Sequence, residues 1–248
     1  VTGQTGRLRY GLFSAFEEDV DIRGTKAGTP VKFTQTGSDY GVARLIYEDS
    51  KAGAYRAFGV LSTAVLHESG DALVTGLDGH YLTSDGKIQL DAQVMTSDID
   101  GQSRGYGGFI DGEFAIKKGV VQRVGIEYFD RDLDINDLGF LERNDSFRIR
   151  SSHIRTSSGL GWAKSNQFDL RGYVQENNDG LFTGAAVFLS DSLTLNNLSN
   201  VLLRVGFFPK AFDDLNSFGN GTYRTALRRD VAIRFSSPNT NKWSFGSG

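Results

Sequence analysis

The sequence predicts an all-β chain, read as an up-and-down antiparallel transmembrane β-barrel of about 12 or more strands. It is expected to be incomplete within these 248 residues. Three observations predict this. Apolar and polar residues alternate with period two along segment after segment, and no segment of helix length carries a 3.6-residue period. The composition is rich in Gly (31) and aromatics (12%) and poor in Pro (3) and Met (1), which suits strands and turns. Tight turns and long loops alternate between the strands, the asymmetry of outer-membrane barrels.

The strands follow in order. Residues 7–16, 40–47, 55–66 and 73–82 open the series. The cleanest alternation comes next, at 87–96: Ile88, Leu90, Ala92 and Val94 share one face, and Lys87, Gln89, Asp91 and Gln93 the other. In 106–117, Tyr106, Ile110, Phe114 and Ile116 lie with Gly108 and Gly112, opposite Phe109, Asp111, Glu113 and Lys117. Strands at 121–129, 147–162, 167–175, 181–193 and 201–208 continue the pattern, with a bulge expected where the phase blurs in 147–162. A single strand at 223–235 places Tyr223, Leu227, Val231, Ile233 and Phe235 against Arg224, Arg228, Asp230 and Arg234. Lys242-Trp243-Ser244-Phe245-Gly246 reads as the start of one more strand, so both edges are expected to pair with sequence outside this chain.

Asp85-Gly86 and Lys118-Gly119 are hairpin signals. They belong to the short-turn side, expected in the periplasm. The long connections 17–38, 97–105, 130–145 and 209–221 belong to the outer side.

Composition excludes several functions. Zero Cys removes a disulfide scaffold, a thiol nucleophile and a Cys-ligated zinc site. A net charge of −3 argues against nucleic acid as a partner. His67, His80 and His153 form no His-x-x-x-His pair, and no Gly-x-Ser-x-Gly elbow accompanies them. The acidic run Asp130, Asp132, Asp134 is the one candidate for a cation, but neither register places Gly sixth and Glu twelfth as an EF-hand loop requires.

Alternation alone does not say which face is buried. Strands of about 10–14 residues exceed the usual soluble length of five or six. Aromatics gather near strand ends, as at Tyr47, Tyr81, Tyr106 and Tyr128, which suits interfacial girdles. The apolar face is therefore read as facing lipid. The polar face is read as facing a lumen, with Gln89, Asp91, Asp111, Glu113, Arg123, Glu127, Arg224, Arg228, Asp230 and Arg234 on it. Pairing of these arginines with acids of neighbouring strands is favoured over a selectivity stripe.

Several stretches resemble a known family. They are Thr5-Gly6-Arg7-Leu8-Arg9-Tyr10-Gly11-Leu12-Phe13-Ser14-Ala15, Tyr40-Gly41-Val42-Ala43-Arg44-Leu45, Gly59-Val60-Leu61-Ser62-Thr63 and Gly76-Leu77-Asp78. The most specific is Asp132-Leu133-Asp134-Ile135-Asn136-Asp137-Leu138-Gly139-Phe140-Leu141-Glu142-Arg143-Asn144-Asp145. Mainly over residues 1–145, the chain resembles the C-terminal barrel region of the domain-of-unknown-function 5916 family. The resemblance implies a carbohydrate-binding-like domain of the family-nine type, lying outside this chain, and hence a glycan ligand. It carries no catalytic residues.

The expectation is an outer-membrane barrel domain over 1–248 in a Gram-negative bacterium, porin-like, acting in passage or docking. Its partners are membrane lipid and outer-membrane or periplasmic proteins. No cofactor and no enzymatic activity are expected. A barrel-embedded hydrolase and a structural subunit of an outer-membrane assembly are the alternatives.

Overall fold

The computed structural model describes residues 1–68, 70–217, 219–238 and 246–247. Among them the chain is all-β, with no helix. The strands are β1 (Thr2–Thr5), β2 (Leu8–Phe16), β3 (Val20–Lys26), β4 (Thr29–Gln35), β5 (Asp39–Lys51), β6 (Ala54–Leu66), β7 (Ala72–Leu82), β8 (Ile88–Ile99) and β9 (Gly105–Lys117). They continue as β10 (Val120–Phe129), β11 (Ser146–Ser158), β12 (Ala163–Glu176), β13 (Phe182–Leu195), β14 (Asn200–Phe208), β15 (Ala211–Asp213), β16 (Tyr223–Thr225), β17 (Arg228–Ser236) and β18 (Gly246–Ser247).

Fourteen strands follow one another in hydrogen-bonded order β1-β2-β5-β6-β7-β8-β9-β10-β11-β12-β13-β14-β17-β18. Two hairpins, β3-β4 and β15-β16, form separate two-stranded sheets. Each main-sheet strand pairs with its sequence neighbour, the hairpin strands aside; most are joined by short reversals, whereas β2 to β5, β10 to β11 and β14 to β17 are joined by longer connections. In Ala52-Gly53, between β5 and β6, both residues have positive φ (52° and 80°), the twist that matches flanking strands in a two-residue turn. Among the described residues no ladder joins β2 to β17, so the sheet order has two ends and no barrel is closed. The expected strand around Trp243 lies outside the described residues, although Phe235 and Ser236 pair with Ser247 and Gly246 of β18.

Four expectations are corrected. The segment 223–235 is not one strand: Tyr223–Thr225 pairs with Ala211–Asp213, and only Arg228–Ser236 pairs with β14. Extended backbone stops at Ala226-Leu227, and two different partners capture the halves. The connection 17–38 is no loop, because Ala27-Gly28 (φ 51° and 82°) turns it into a hairpin. The connection 97–105 is short, because β8 runs on to Ile99 and leaves only 100–104. The bulge expected in 147–162 does not appear in the β11–β12 ladder, whose register is unbroken; shifts occur instead between β12 and β13, at Ala163/Ser165 and Gln175/Glu176.

The chain divides into two compact units. The first comprises Val1–Tyr81, Asp91–Gly108 and Phe129–Asp145. Directly paired residues of antiparallel strands share a face. Tyr10, Leu12 and Phe16 therefore lie with Ala43, Leu45, Val60 and Phe58, while Arg9, Arg44 and Glu48 take the other face. The apolar face is not covered: Leu12, Phe58, Leu77 and Tyr106 are all exposed. The largest buried side chain of this unit is Leu133, with none of its surface exposed. It sits in the connection 130–145, which is tied back by Asn144 Nδ2 donating to Arg131 O (2.8 Å) and Leu133 O (3.1 Å). Asp134 N donates to Ser97 Oγ (3.1 Å). Gly105 makes the close approach possible, since a Cβ there would run into the Leu133 backbone.

The second unit comprises Leu82–Leu90, Phe109–Tyr128 and Ser146–Gly248. Leu170, Val187, Leu189, Val205 and Val231 share one face, and Asp169, Arg171, Tyr173, Phe188, Arg204 and Asp230 share the other. Again the apolar face is open, with Val231 68% and Ile110 60% exposed. Buried apolar side chains in this unit are small: Val120, Ala163, Ala186 and Ala211. The connection between β14 and β17 is tied to the β12–β13 turn, where Asn177 Nδ2 donates to Asp214 Oδ2 (3.1 Å), and its Ala211 is buried.

Candidate functional site: the ion-paired polar face

In the first unit the polar face is organised by Arg44, Asp78, His80 and Asp91. Arg44 forks onto Asp78 through Nη1–Oδ1 and Nη2–Oδ2, the second bond at 2.8 Å. The two residues are on β5 and β7, with β6 between them. They meet because residue 59 is glycine: a Cβ there would lie 2.7 Å from both Arg44 Nη2 and Asp78 Oδ2. His80 completes the group, with Nδ1 2.6 Å from Asp91 Oδ1 and Nε2 3.1 Å from Asp78 Oδ2. The Asp78 side chain is only 7% exposed, so its charge is stabilised by these partners rather than by water.

The second unit repeats the device. Arg150 on β11 reaches Asp111 on β9, with Nη2 2.7 Å from each carboxylate oxygen. The pair passes over Gly125 of β10, where a Cβ would collide with Asp111 Oδ1 and lie 2.5 Å from Arg150 Nε. Around it, Glu127 forms an ion pair with Arg148 Nη1 at 3.0 Å, and Arg150 Nη1 stands 3.9 Å away. Arg148 Nε donates to Gln175 Oε1 (2.7 Å), and its guanidinium lies 5.6 Å from the Tyr173 ring centre. Arg123 Nε donates to Glu113 Oε2 at 2.7 Å, and Arg171 pairs with Asp169.

Of the residues singled out by sequence, Asp91 holds His80, Asp111 holds Arg150, Glu113 holds Arg123 and Glu127 holds Arg148. Gln89 lies on the same strand face as Asp91. Arg228 is 3.3 Å from Asp230, and its guanidinium sits 3.8 Å from the Phe208 ring centre. Arg234 has no ion pair among the described residues. Arg224 does not belong to this face: it stands on β16, 5.7 Å from the Phe212 ring centre, because the strand is broken at Ala226-Leu227.

The acidic run is taken up by turn hydrogen bonds. Asp130 accepts from Tyr106 N (2.8 Å) and Asp132 N (3.1 Å), and Asp134 accepts from Asn136 N (3.0 Å) and Nδ2 (2.9 Å). These carboxylates cap turns, and no ligating cluster of three forms among the described residues. His80 is poorly placed as a hydrolytic base, since carboxylates occupy both its nitrogens.

Sequence reasoning missed Arg44, Asp78, Arg148 and Arg150 as network members, and Gly59 and Gly125 as what lets them meet. The available signal was glycine at polar-face positions of strands flanked by charged ones.

At the turns and connections outside the main-sheet strands, local hydrogen bonding sets the charge states. Lys87, helped by Thr83, holds the Asp85 carboxyl well below the usual range in the β7–β8 turn. Asn216, with Tyr223, lowers Asp213 to about 2 in the β14–β17 connection.

Comparison with family models matches residues 58–245 to the domain of unknown function DUF5916. The chain belongs to this family. The match covers the whole second unit up to residue 245 and much of the first, so membership extends well past residue 145, while the stretches at 5–15 and 40–45 lie before it. No curated protein and no solved structure matches the DUF5916 chain.

Proposed function

We propose that this DUF5916 chain is an outer-membrane β-barrel domain of a Gram-negative bacterium, acting in passage or docking at the membrane. One observation carries the reading. In each unit most of the large exposed apolar side chains stand on one sheet face, Phe13 aside, while most of the ion-paired charges lie on the opposite face. A water-soluble sheet would cover its apolar face with a second layer. Uncovered apolar surface on this scale marks a membrane or a partner. Most main-sheet strands have 9–14 residues, as in Leu8–Phe16 and Ala163–Glu176, and a tilted strand needs about 9–11 to cross hydrocarbon. Tyr47, Tyr81, Tyr106 and Tyr128 near strand ends fit the two interfaces.

On this reading the paired polar face lines a lumen, the short turns lie in the periplasm and the long connections lie outside. Lipid is the first partner, and outer-membrane or periplasmic proteins are further partners. A link to carbohydrate rests on the family resemblance and its expected companion domain.

The test is a folding titration into lipid vesicles. Leu90→Arg, on the exposed apolar face, is expected to cost about 2–4 kcal/mol, and Gln89→Arg, on the polar face, little. Equal costs overturn the assignment of faces.

A further inference from the structure

On the polar face of the second unit the arginines divide into two groups. Arg123, Arg148, Arg150, Arg171 and Arg228 each have a carboxylate partner. Arg204 on β14 and Arg234 on β17 have none among the described residues. Register brings these two together: Arg204 is opposite Ala232 and Leu202 is opposite Arg234, so the arginines occupy diagonal positions of one antiparallel pair. Diagonal neighbours are about 7–8 Å apart at the backbone, well within the reach of two long side chains. Both residues are exposed.

The nearby carboxylates are engaged elsewhere. Asp230 lies over Gly206, its Cβ and Oδ2 each 3.6 Å from where a glycine Cβ would be, and it faces Arg228. Asp169, in the same cross-strand row as Ser190 and Arg204, is held by Arg171. The next strand supplies hydroxyls instead. Ser190 pairs directly with Arg204, and Ser192 with Leu202 beside Arg234. Two guanidinium forks without a neutralising carboxylate repel each other and raise the local potential. An anion that accepts from both would relieve that repulsion, and two forks match the charge and geometry of a tetrahedral dianion.

We propose that Arg204 and Arg234, with the hydroxyls of Ser190 and Ser192, form a binding site for an oxyanion of the phosphate class, either free phosphate or a phosphate ester. The proposal rests on the membrane reading only in taking this face as open to solutes.

The test is a titration of the full chain, folded in detergent micelles, with inorganic phosphate and in a second arm with glycerol phosphate. Calorimetry is run at constant ionic strength against chloride. Saturable binding is expected in at least one arm, and the tighter arm identifies the source. Arg204→Gln and Arg234→Gln are each expected to weaken binding about tenfold or more, the loss of a charge-assisted hydrogen bond. Arg229→Gln removes the same charge from the opposite face of β17 and is expected to leave binding unchanged. Should the Gln variants fail to fold, Arg204→Lys and Arg234→Lys keep the charge, lose the fork and are expected to weaken binding. Absence of saturable binding in both arms, or an equal loss in Arg229→Gln, overturns the proposal. A failure of the membrane reading shows differently, as a chain that stays folded in buffer without detergent, where the same titration is run.

Discussion

The tie of Arg44 to Asp78 across β6 depends on the missing side chain at residue 59, and Gly59→Ala tests it. An added Cβ would stand 2.7 Å from Arg44 Nη2, 2.7 Å from Asp78 Oδ2 and 2.9 Å from Arg44 Cζ, where ordinary contact begins at 3.4 Å. The guanidinium must therefore lift by about 0.7 Å, enough to carry a 2.8 Å hydrogen bond past about 3.2 Å. Asp78 follows poorly, because its Oδ2 is also held by His80 at 3.1 Å. A hydrogen bond between charged groups contributes about 1.5–3 kcal/mol. Alanine recovers about 0.5–1 kcal/mol of backbone entropy relative to glycine in a strand. The net expectation is a loss of about 1–2 kcal/mol. Gly41→Ala, on β5, is the reference: a Cβ there meets nothing within 4 Å, so it gains the entropy term alone. Urea unfolding in detergent or vesicles, followed by tryptophan fluorescence, gives both values. The two variants are expected to differ by about 1.5–3 kcal/mol, the lost hydrogen bond itself. If Gly59→Ala is as stable as Gly41→Ala, the glycine does not carry the tie.

Three further outcomes are expected. Leu133→Ala empties a fully buried site in the connection 130–145 and is expected to cost about 2–5 kcal/mol, with proteolysis of intact protein opening first within that connection; unchanged protection refutes the anchoring role. In intact cells a cysteine at Lys26 in the β3-β4 hairpin is expected to react with an impermeant thiol reagent and one at Lys118 in the β9–β10 turn to stay silent, the reverse pattern refuting the topology; Gly119 itself is unsuitable, since a Cβ there meets Thr156 O. Asp213 titrates at about 2 when folded, below the unfolded value near 3.9, so its contribution to the β15-β16 hairpin is complete above about pH 4 and is lost as pH falls through about 2. Asn216→Ala removes the largest cause and is expected to move the carboxyl midpoint upward by NMR; an unmoved midpoint refutes that cause.

The period-two alternation by itself determined that the chain is all-β, where most main-sheet strands run and which residues share a strand face. Those are local properties: successive side chains point to opposite sides, and residues such as Ile88 and Gln89 declare their sides by polarity alone. Short reversals such as Lys118-Gly119 then made neighbours of consecutive strands. Three features needed the tertiary structure. The split of 223–235 into β16 and β17 depended on which partner each half found, and its alternation gave no sign of the break. The β3-β4 hairpin was hidden because exposed strands lack a contrasting face, leaving only Ala27-Gly28 to mark it. The ties of Arg44 to Asp78 and Arg150 to Asp111 join residues two strands apart. They exist only where register sets a glycine between them, and register is a sum over turn lengths and bulges that no local pattern contains.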